Sequence, residues 1–422
     1  MSGPFPVTNS TLPYWRTDPD PLDNYRSSEK LPQESDIVII GAGYAGSSVA
    51  YHILNQTKSS SNPPSITILE ARNACSGATA RNGGHMKPDI YNFIATLAKD
   101  YGVEAAAEVA EFEAKHVHAL KEFIEKERID CDYTVTKAVD AQLDESHFHK
   151  LKNGHQRLVA GGAKVTATAR IIGPKDAEAF SGVKGAVGCF TYDAGHIWAY
   201  KFVLHLINKV VAQGVNLQTH TPVSKISPRK IVPVRGTCCR IAVPPGSTAP
   251  RLTNTYTLRF NNWDYDYLIP RADGSIVVGG ARSSFYERDD NWHNVSDDSR
   301  VLEPAIRYFD NYMQRNFVGW ENSYAYTDRV WTGIMGYSSD GLPHVGRVPG
   351  QEGQYIVAGF TGHGMPQIFL SAEAIAKMIV SGVGFEDTGL PRLFQTSQQR
   401  IESRNSNILG NTPQVTSSAS RL

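Results

Sequence analysis

The chain has 422 residues, with 42 Lys+Arg against 42 Asp+Glu, a balance that gives no electrostatic case for nucleic acid or an anionic membrane surface. No apolar run is long enough to cross a bilayer, and the first residues lack the basic-then-apolar pattern of a secretory leader. Five cysteines, at 75, 131, 189, 238 and 239, form no CxxC pair, which argues against a disulfide framework or a zinc site and for an intracellular, reducing setting.

Residues 1–34, rich in Pro, Asp and Ser, read as an extended arm. From Ser35 an apolar run breaks into Gly41-x-Gly43-x-x-Gly46, a helix-forming stretch follows, and a second apolar run, Ile66 to Leu69, ends in Glu70. This predicts a strand, a tight turn, a helix and a parallel strand over 35–71. The first glycine permits the turn, the second admits a pyrophosphate to the backbone, and the third lets helix and strand pack closely. The helix N-terminus points N–H groups and a positive dipole end at phosphate, and Glu70 is placed to accept from a ribose.

A glycine-rich loop follows at 76–85. Val103 to Arg128 carries Val109, Phe112, His116, Leu120, Phe123 and Ile124 at helical spacing and predicts a long amphipathic helix. Residues 131–143 predict a strand, 145–161 and 174–181 helices, 196–213 another helix and 215–219 a strand. His116/His118 and His147/His149 lie two apart, which separates each pair around a helix, so they are expected on helix surfaces rather than on a metal. From 236 the pattern turns to strands at 256–260, 263–269 and 275–280, with Ala272-Asp-Gly274 as a hairpin turn. A helix at about 297–315, an alternating strand over 323–333, a strand at 354–358, a glycine turn at 359–364 and a helix over 367–380 complete the order.

Two of these turns narrow the ligand. Ser76-Gly-Ala-Thr-Ala-Arg-Asn-Gly-Gly-His85 follows the Glu70 strand, and Asp340-Gly-Leu-Pro-His-Val-Gly346 and Ala358-Gly-Phe-Thr-Gly-His-Gly364 precede the last helix. With the first βαβ unit they resemble the FAD-dependent oxidoreductases of the D-amino-acid oxidase type, and within them the gamma-glutamylputrescine oxidoreductase branch. That branch carries a similar Gly-Ala-Ser-Gly-Arg-Asn-Gly-Gly segment. The resemblance covers residues 35–380.

It implies an α/β chain of two domains: a Rossmann-like FAD/NAD(P)-binding domain with a parallel sheet, and an antiparallel-sheet substrate domain. The cofactor domain is expected over 35–235 and 336–385, with an insertion at about 90–185, the substrate domain over 236–335 and a tail over 386–422. FAD is the implied cofactor. Gly41, Ala42, Gly43, Ala45 and Gly46 would cradle it, with Glu70 and Ala71 at the adenosine ribose. Ser76, Ala78, Thr79, Arg81, Asn82, Gly83 and Gly84 would wrap the pyrophosphate and reach the flavin, Arg81 and Asn82 supplying donors. Val223 is a further contact, on a strand expected over 221–226. Gly362, His363, Gly364 and Met365 would open a helix at the flavin pyrimidine edge.

The implied reaction is oxidation of the C–N bond of an amine or amino acid by hydride transfer to flavin N5, with later hydrolysis of the imine and O2 as a candidate second substrate. His85 is the candidate catalytic residue. It either favours the deprotonated amine, assists oxygen reduction, carries a covalent flavin link or is a structural imidazole. Trp331 and Tyr267, with Trp263, Tyr265 and Tyr326, are candidates for an amine pocket. Arg271, Arg259 and Arg329 are candidates for a carboxylate clamp. No metal is expected.

The sequence departs from the family pattern after Ser227, where a few dozen residues, including a strand of the parallel sheet, are missing. A sheet short of one strand leaves unpaired backbone groups and an uncovered apolar face. This favours one alternative, a catalytically impaired flavoprotein-like remnant; a second, an NAD-linked dehydrogenase, is favoured by the first glycine motif alone but not by the turns at 76–85 and 359–364. Ser420-Arg-Leu422 is close to the terminus read by peroxisomal import, so the expected compartment is peroxisome or cytoplasm.

Overall fold

A computed structural model describes residues 5–224, 231–286 and 291–403. β1 (Ile37–Ile40), α1 (Tyr44–Thr57) and β2 (Ile66–Leu69) form the expected βαβ unit, with Ile37 opposite Ile66 in parallel register. There follow β3 (His85–Met86), α2 (Asn92–Tyr101), α3 (Val103–Glu127), β4 (Thr134–Gln142) and α4 (Glu145–Ala160). Next come β5 (Arg170–Ile172), α5 (Pro174–Ser181), β6 (Gly188–His196), α6 (Ala199–Ala212) and β7 (Asn216–Gln218). The remainder is β8 (Val232–Ala242), β9 (Thr255–Arg259), β10 (Tyr265–Pro270), β11 (Ile276–Gly280), α7 (Glu303–Tyr308), α8 (Tyr312–Asn316), β12 (Tyr326–Tyr337), β13 (His344–Arg347), β14 (Tyr355–Ala358) and α9 (Ile368–Ser381).

The strands sort into a parallel sheet, β1-β2-β7, and a large sheet in the order β12-β8-β11-β10-β9-β4-β6-β3, with β5 on β6. The large sheet is mixed rather than wholly antiparallel, because β4 and β9 pair in parallel, Ala138 opposite Thr255. One face of it carries Val139, Ala141, Leu258, Leu268, Val278 and Cys239 and is closed by Ala177, Ala305, Phe309 and Met313 from α5, α7, α8 and their connection. Alternation puts Asp140, His196, His85, Thr257, Arg259 and Tyr267 on the opposite face, toward the parallel sheet.

Several expectations need correction. The N-terminal arm is no loose extension: it winds into short 3₁₀ turns at Tyr14–Arg16 and Pro21–Asn24, and Trp15 is fully buried in the main core. The helix expected at 297–315 is two short ones, split where Asn311 adopts a left-handed φ of 51°. Residues 221–224 form no strand. His118 and His149 are exposed as expected, but His116 and His147 turn inward and are buried.

Among the described residues the parallel sheet has an open edge at β1. Of the described strands β1 pairs only with β2, and β13 pairs with β14 in a separate two-stranded sheet. In a three-layer α/β arrangement the first strand is covered on both sides. Here Val38 is 54 % and Ile40 52 % exposed, while α9, which follows β14, packs along α1 through the shared core of Val49, Ile53, Phe369, Ala372 and Ile375. The two helices meet, and among the described residues no strand lies on the second edge of β1. Residues 225–230, where the sequence departs from the pattern, and the terminal Ser420–Leu422 lie outside the described residues.

Candidate functional site

The Gly41–Gly46 turn has the geometry its spacing predicts. Gly41 sits at φ +102°, where a side chain would be strained, and its N–H donates to Leu69 O at 2.7 Å. A Cβ on Gly46 would lie 2.0 Å from Gly41 O, so only glycine lets α1 rise this close to the turn. The first turn of a helix has N–H groups without intrahelical partners; Thr79 Oγ1 accepts that of Tyr44 at 3.1 Å, tying the 76–84 loop to the helix start. Glu70 Oε2 accepts from Ala42 N–H and Oε1 from Arg72 N–H, each at 2.9 Å. The carboxylate is thereby fixed beside the turn, and each oxygen keeps a lone pair for a ribose hydroxyl. Thr221 N–H donates to Glu70 O, which brings the half-buried Val223 near the same end.

The 76–84 loop is held from beneath. Arg81 is buried, its Nε donating to Ser76 O at 2.8 Å, its guanidinium reaching Thr332 O, Thr11 Oγ1 and Ser10 Oγ, and Asp298 pairing with it at 3.2 Å. Burial lowers its pKa to about 10, against the opposing pull of Asp298. Arg81 is therefore a clamp whose donors already have protein acceptors, rather than a free donor for a cofactor. Asp298 also takes Arg72 at 3.0 Å. Trp331, fully buried, donates from Nε1 to Arg81 O at 2.9 Å, and Trp15 Nε1 donates to Asn82 O. Trp331 thus pins the loop and offers no surface to a substrate.

Asn82 joins the two diagnostic turns. Its Oδ1 accepts from Gly84 N–H at 2.7 Å, while Nδ2 donates to Met365 Sδ at 3.3 Å. The turn from Gly359 to Met365 is docked on β12 by Thr361 N–H donating to Gly336 O. Its helix, α9, begins only at Ile368, three residues beyond Met365. Next to this junction the Tyr267 ring fits between Gly83 and Gly279, where added Cβ atoms would each come within 2.3 Å of the ring. It stacks on His85 at 5.9 Å and 29°.

His85 and His363 are both half-buried and line this region. His85 Nε2 meets Thr255 Oγ1 at 2.8 Å; burial, aided by Lys87, pushes its pKa well below the ordinary histidine value, so the ring is neutral. Behind it, buried Asp140 Oδ2 receives Lys87, Tyr91 and Tyr192, at 3.1, 2.9 and 2.9 Å. Arg259, on the same face, lies over Tyr265 at 5.2 Å. Arg271 is placed elsewhere: it pairs with Asp132 at 2.6 Å and is flanked by the rings of Trp15 and Trp198.

Over residues 36–231 and 225–378 the chain matches the family described as FAD dependent oxidoreductase. The chain belongs to this family. FAD is accordingly its cofactor, and the NAD reading falls away. The chain is 22 % identical over 393 residues to a probable oxidoreductase OrdL of Haemophilus influenzae, covering 82 % of this chain and 83 % of that one. It is 30 % identical to gamma-glutamylputrescine oxidoreductase of Escherichia coli, over 98 residues, 23 % of this chain and 22 % of that one. The glycine oxidase structure from Geobacillus kaustophilus superposes with a TM-score of 0.65 at 14 % identity, covering 86 % of this chain and 98 % of that one, which shows a common fold.

The residues present fit the dinucleotide: a turn that admits no Cβ at Gly46, an anchored Glu70 and a clamped glycine loop converge on one place. Asp298, Trp15 and Glu113 (below) escaped the sequence reading. Only Glu113 left a signal, as an acid on the apolar stripe of α3 between Val109 and Val117.

Proposed function

We propose that this FAD-dependent oxidoreductase oxidises the C–N bond of an amine or amino acid, the hydride passing to flavin N5 and the imine hydrolysing afterwards. The observation that carries the reading is the Asn82–Met365 contact, which brings the 76–84 and 359–365 turns together beside His85 and Tyr267. When bound, FAD supplies the two-electron acceptor. His85, whose ring desolvation keeps uncharged, can accept a hydrogen bond from the substrate nitrogen while adding no positive charge beside it, which favours the neutral amine, with Thr255 orienting its ring. Tyr267 walls the same place and helps exclude water. Buried Arg259 supplies positive charge on the substrate-facing side of the sheet, where half-buried Lys87 is paired with Asp140.

Purified protein loaded with FAD should show a flavin absorbance that an amine or amino acid bleaches anaerobically. Return of colour in air, with peroxide, would mark an oxidase. A flavin left oxidised by every member of a panel of primary, secondary and α-amino acid amines would sink the reading. The open edge of β1, with Val38 and Ile40 exposed, favours a second reading: a remnant that retains the dinucleotide turn but does not turn over. The family match falls in two stretches that meet at 225–231, where the sequence departs from the pattern, which supports the same reading. Sequencing the transcript across codons 223–236 tests whether the strand is absent from the expressed protein.

A further inference from the structure

Glu113 is a carboxylate buried to 2 % exposure on α3, far in sequence from either diagnostic turn. Its Oε2 receives His363 Nε2 at 2.8 Å and Asp89 N–H at 2.7 Å, and its Oε1 receives Gln367 Nε2 at 2.6 Å. A buried carboxylate with three donors is an expensive thing to keep unless it fixes something. What it fixes is the turn at its catalytic end: His363 on one side and the entry to α9, through Gln367, on the other. Resting on the flavin reading above, we propose that Glu113 is a positioning residue that holds a protonated His363 at the flavin pyrimidine edge. A fixed cation there favours the reduced cofactor, since two-electron reduction places negative charge on that ring.

The surroundings agree. Burial alone would lower the His363 pKa, yet Glu113, with Asp89 behind it, raises it above the ordinary value. Lys87, from the end of β3, opposes, and His85 on the same strand is neutral and adds no charge. In this role the imidazolium is a fixed charge: His363 neither gives a proton to substrate nor takes one.

The experiment measures the equilibrium between oxidised and reduced flavin against a dye of known potential, from pH 6 to 9, in the FAD-loaded wild type, Glu113→Gln and His363→Gln. Glu113→Gln should bind FAD and shift the equilibrium toward oxidised flavin about tenfold, roughly 30 mV for a two-electron couple. Its His363 titration should move to lower pH. His363→Gln leaves Glu113 with its Asp89 and Gln367 donors and should show the same shift with no titration in this range; it keeps the idea testable should Glu113→Gln fold poorly. Wild-type equilibrium and pH profile in FAD-loaded Glu113→Gln would overturn the inference while leaving the proposed function intact. A shift in His363→Gln alone would also remove Glu113 from the argument. A wild type that takes up no FAD would overturn both.

Discussion

Gly46 is where the dinucleotide turn is most exacting, and replacing it by Ala separates packing from ligand approach. The added Cβ would sit 2.0 Å from Gly41 O and 3.0 Å from Ile39 Cγ2. Ala is the better helix former by about 1 kcal/mol, but the nearest clash is with a backbone carbonyl, which no rotamer change relieves. α1 must therefore move off the turn by more than an ångström. A clash this close with backbone sits at the upper end of the overpacking cost, about 3 kcal/mol, so a net loss of about 2 kcal/mol is expected, together with weakened FAD binding. Gly43→Ala is the counterpart: its Cβ meets only Thr79 Oγ1, at an ordinary 3.4 Å. It should leave stability within about 0.5 kcal/mol and lose FAD affinity alone, because the methyl stands where a pyrophosphate approaches. Urea unfolding followed by far-UV circular dichroism gives the first quantity, and quenching of flavin fluorescence the second. A Gly46→Ala protein with the wild-type urea midpoint, or a Gly43→Ala protein as destabilised as Gly46→Ala, refutes the reasoning.

Trp15→Ala should cost about 3–5 kcal/mol, as truncation of a fully buried Trp, and should loosen the 76–84 loop through loss of the Trp15–Asn82 bond; urea unfolding and FAD retention on gel filtration check both parts. His52, His116, His147 and His196 are each lowered to about 4 by burial. The folded state then binds fewer protons than the unfolded one below the ordinary histidine value, so stability present at pH 7.5 falls as pH drops from 6.5 toward 4, which urea midpoints at pH 7.5 and 5 will show. Asp266, raised to about 6 by burial, acts in the opposite sense: it favours the fold below 4 and that contribution fades as pH rises through 6. Asp266→Asn should therefore steepen the acid-side loss. Finally, Val38→Thr with Ile40→Thr should change stability by less than about 0.5 kcal/mol if the β1 edge is open, and by several times that if a strand covers it in the expressed protein.

Where a segment has one buried face, its pattern could be read. α3 and α6 carry one apolar stripe each and fall where the spacing places them, whereas α1 and α9, buried around most of their girth, were placed by the glycine turns that precede them. β6 escaped because it is buried on both faces and contains Gly188 and Gly195, so it shows neither alternation nor an unbroken apolar run. β8 was hidden by Pro233 and Gly236. The cofactor turn was legible because glycines are needed at fixed offsets. The groups that hold the loop were not, since Ser10, Thr11, Asp298 and Thr332 meet Arg81 from distant parts of the chain and have no local pattern. Inward-facing His116 and His147 show the same limit: spacing says that two histidines part, and only packing says which one goes inside.

The Arg81 clamp also has a consequence in time. Its Thr332 partner lies 251 residues downstream, and its Thr11 partner 70 upstream. During synthesis at about 5–20 residues per second, the glycine loop emerges long before the carbonyl that anchors it. Contacts of such sequence separation form late and slowly. The βαβ unit is local and can fold early, but the cradle it belongs to closes only near the end of folding. FAD therefore joins a nearly complete molecule, and refolding with and without the cofactor should share its early phases and differ in the last.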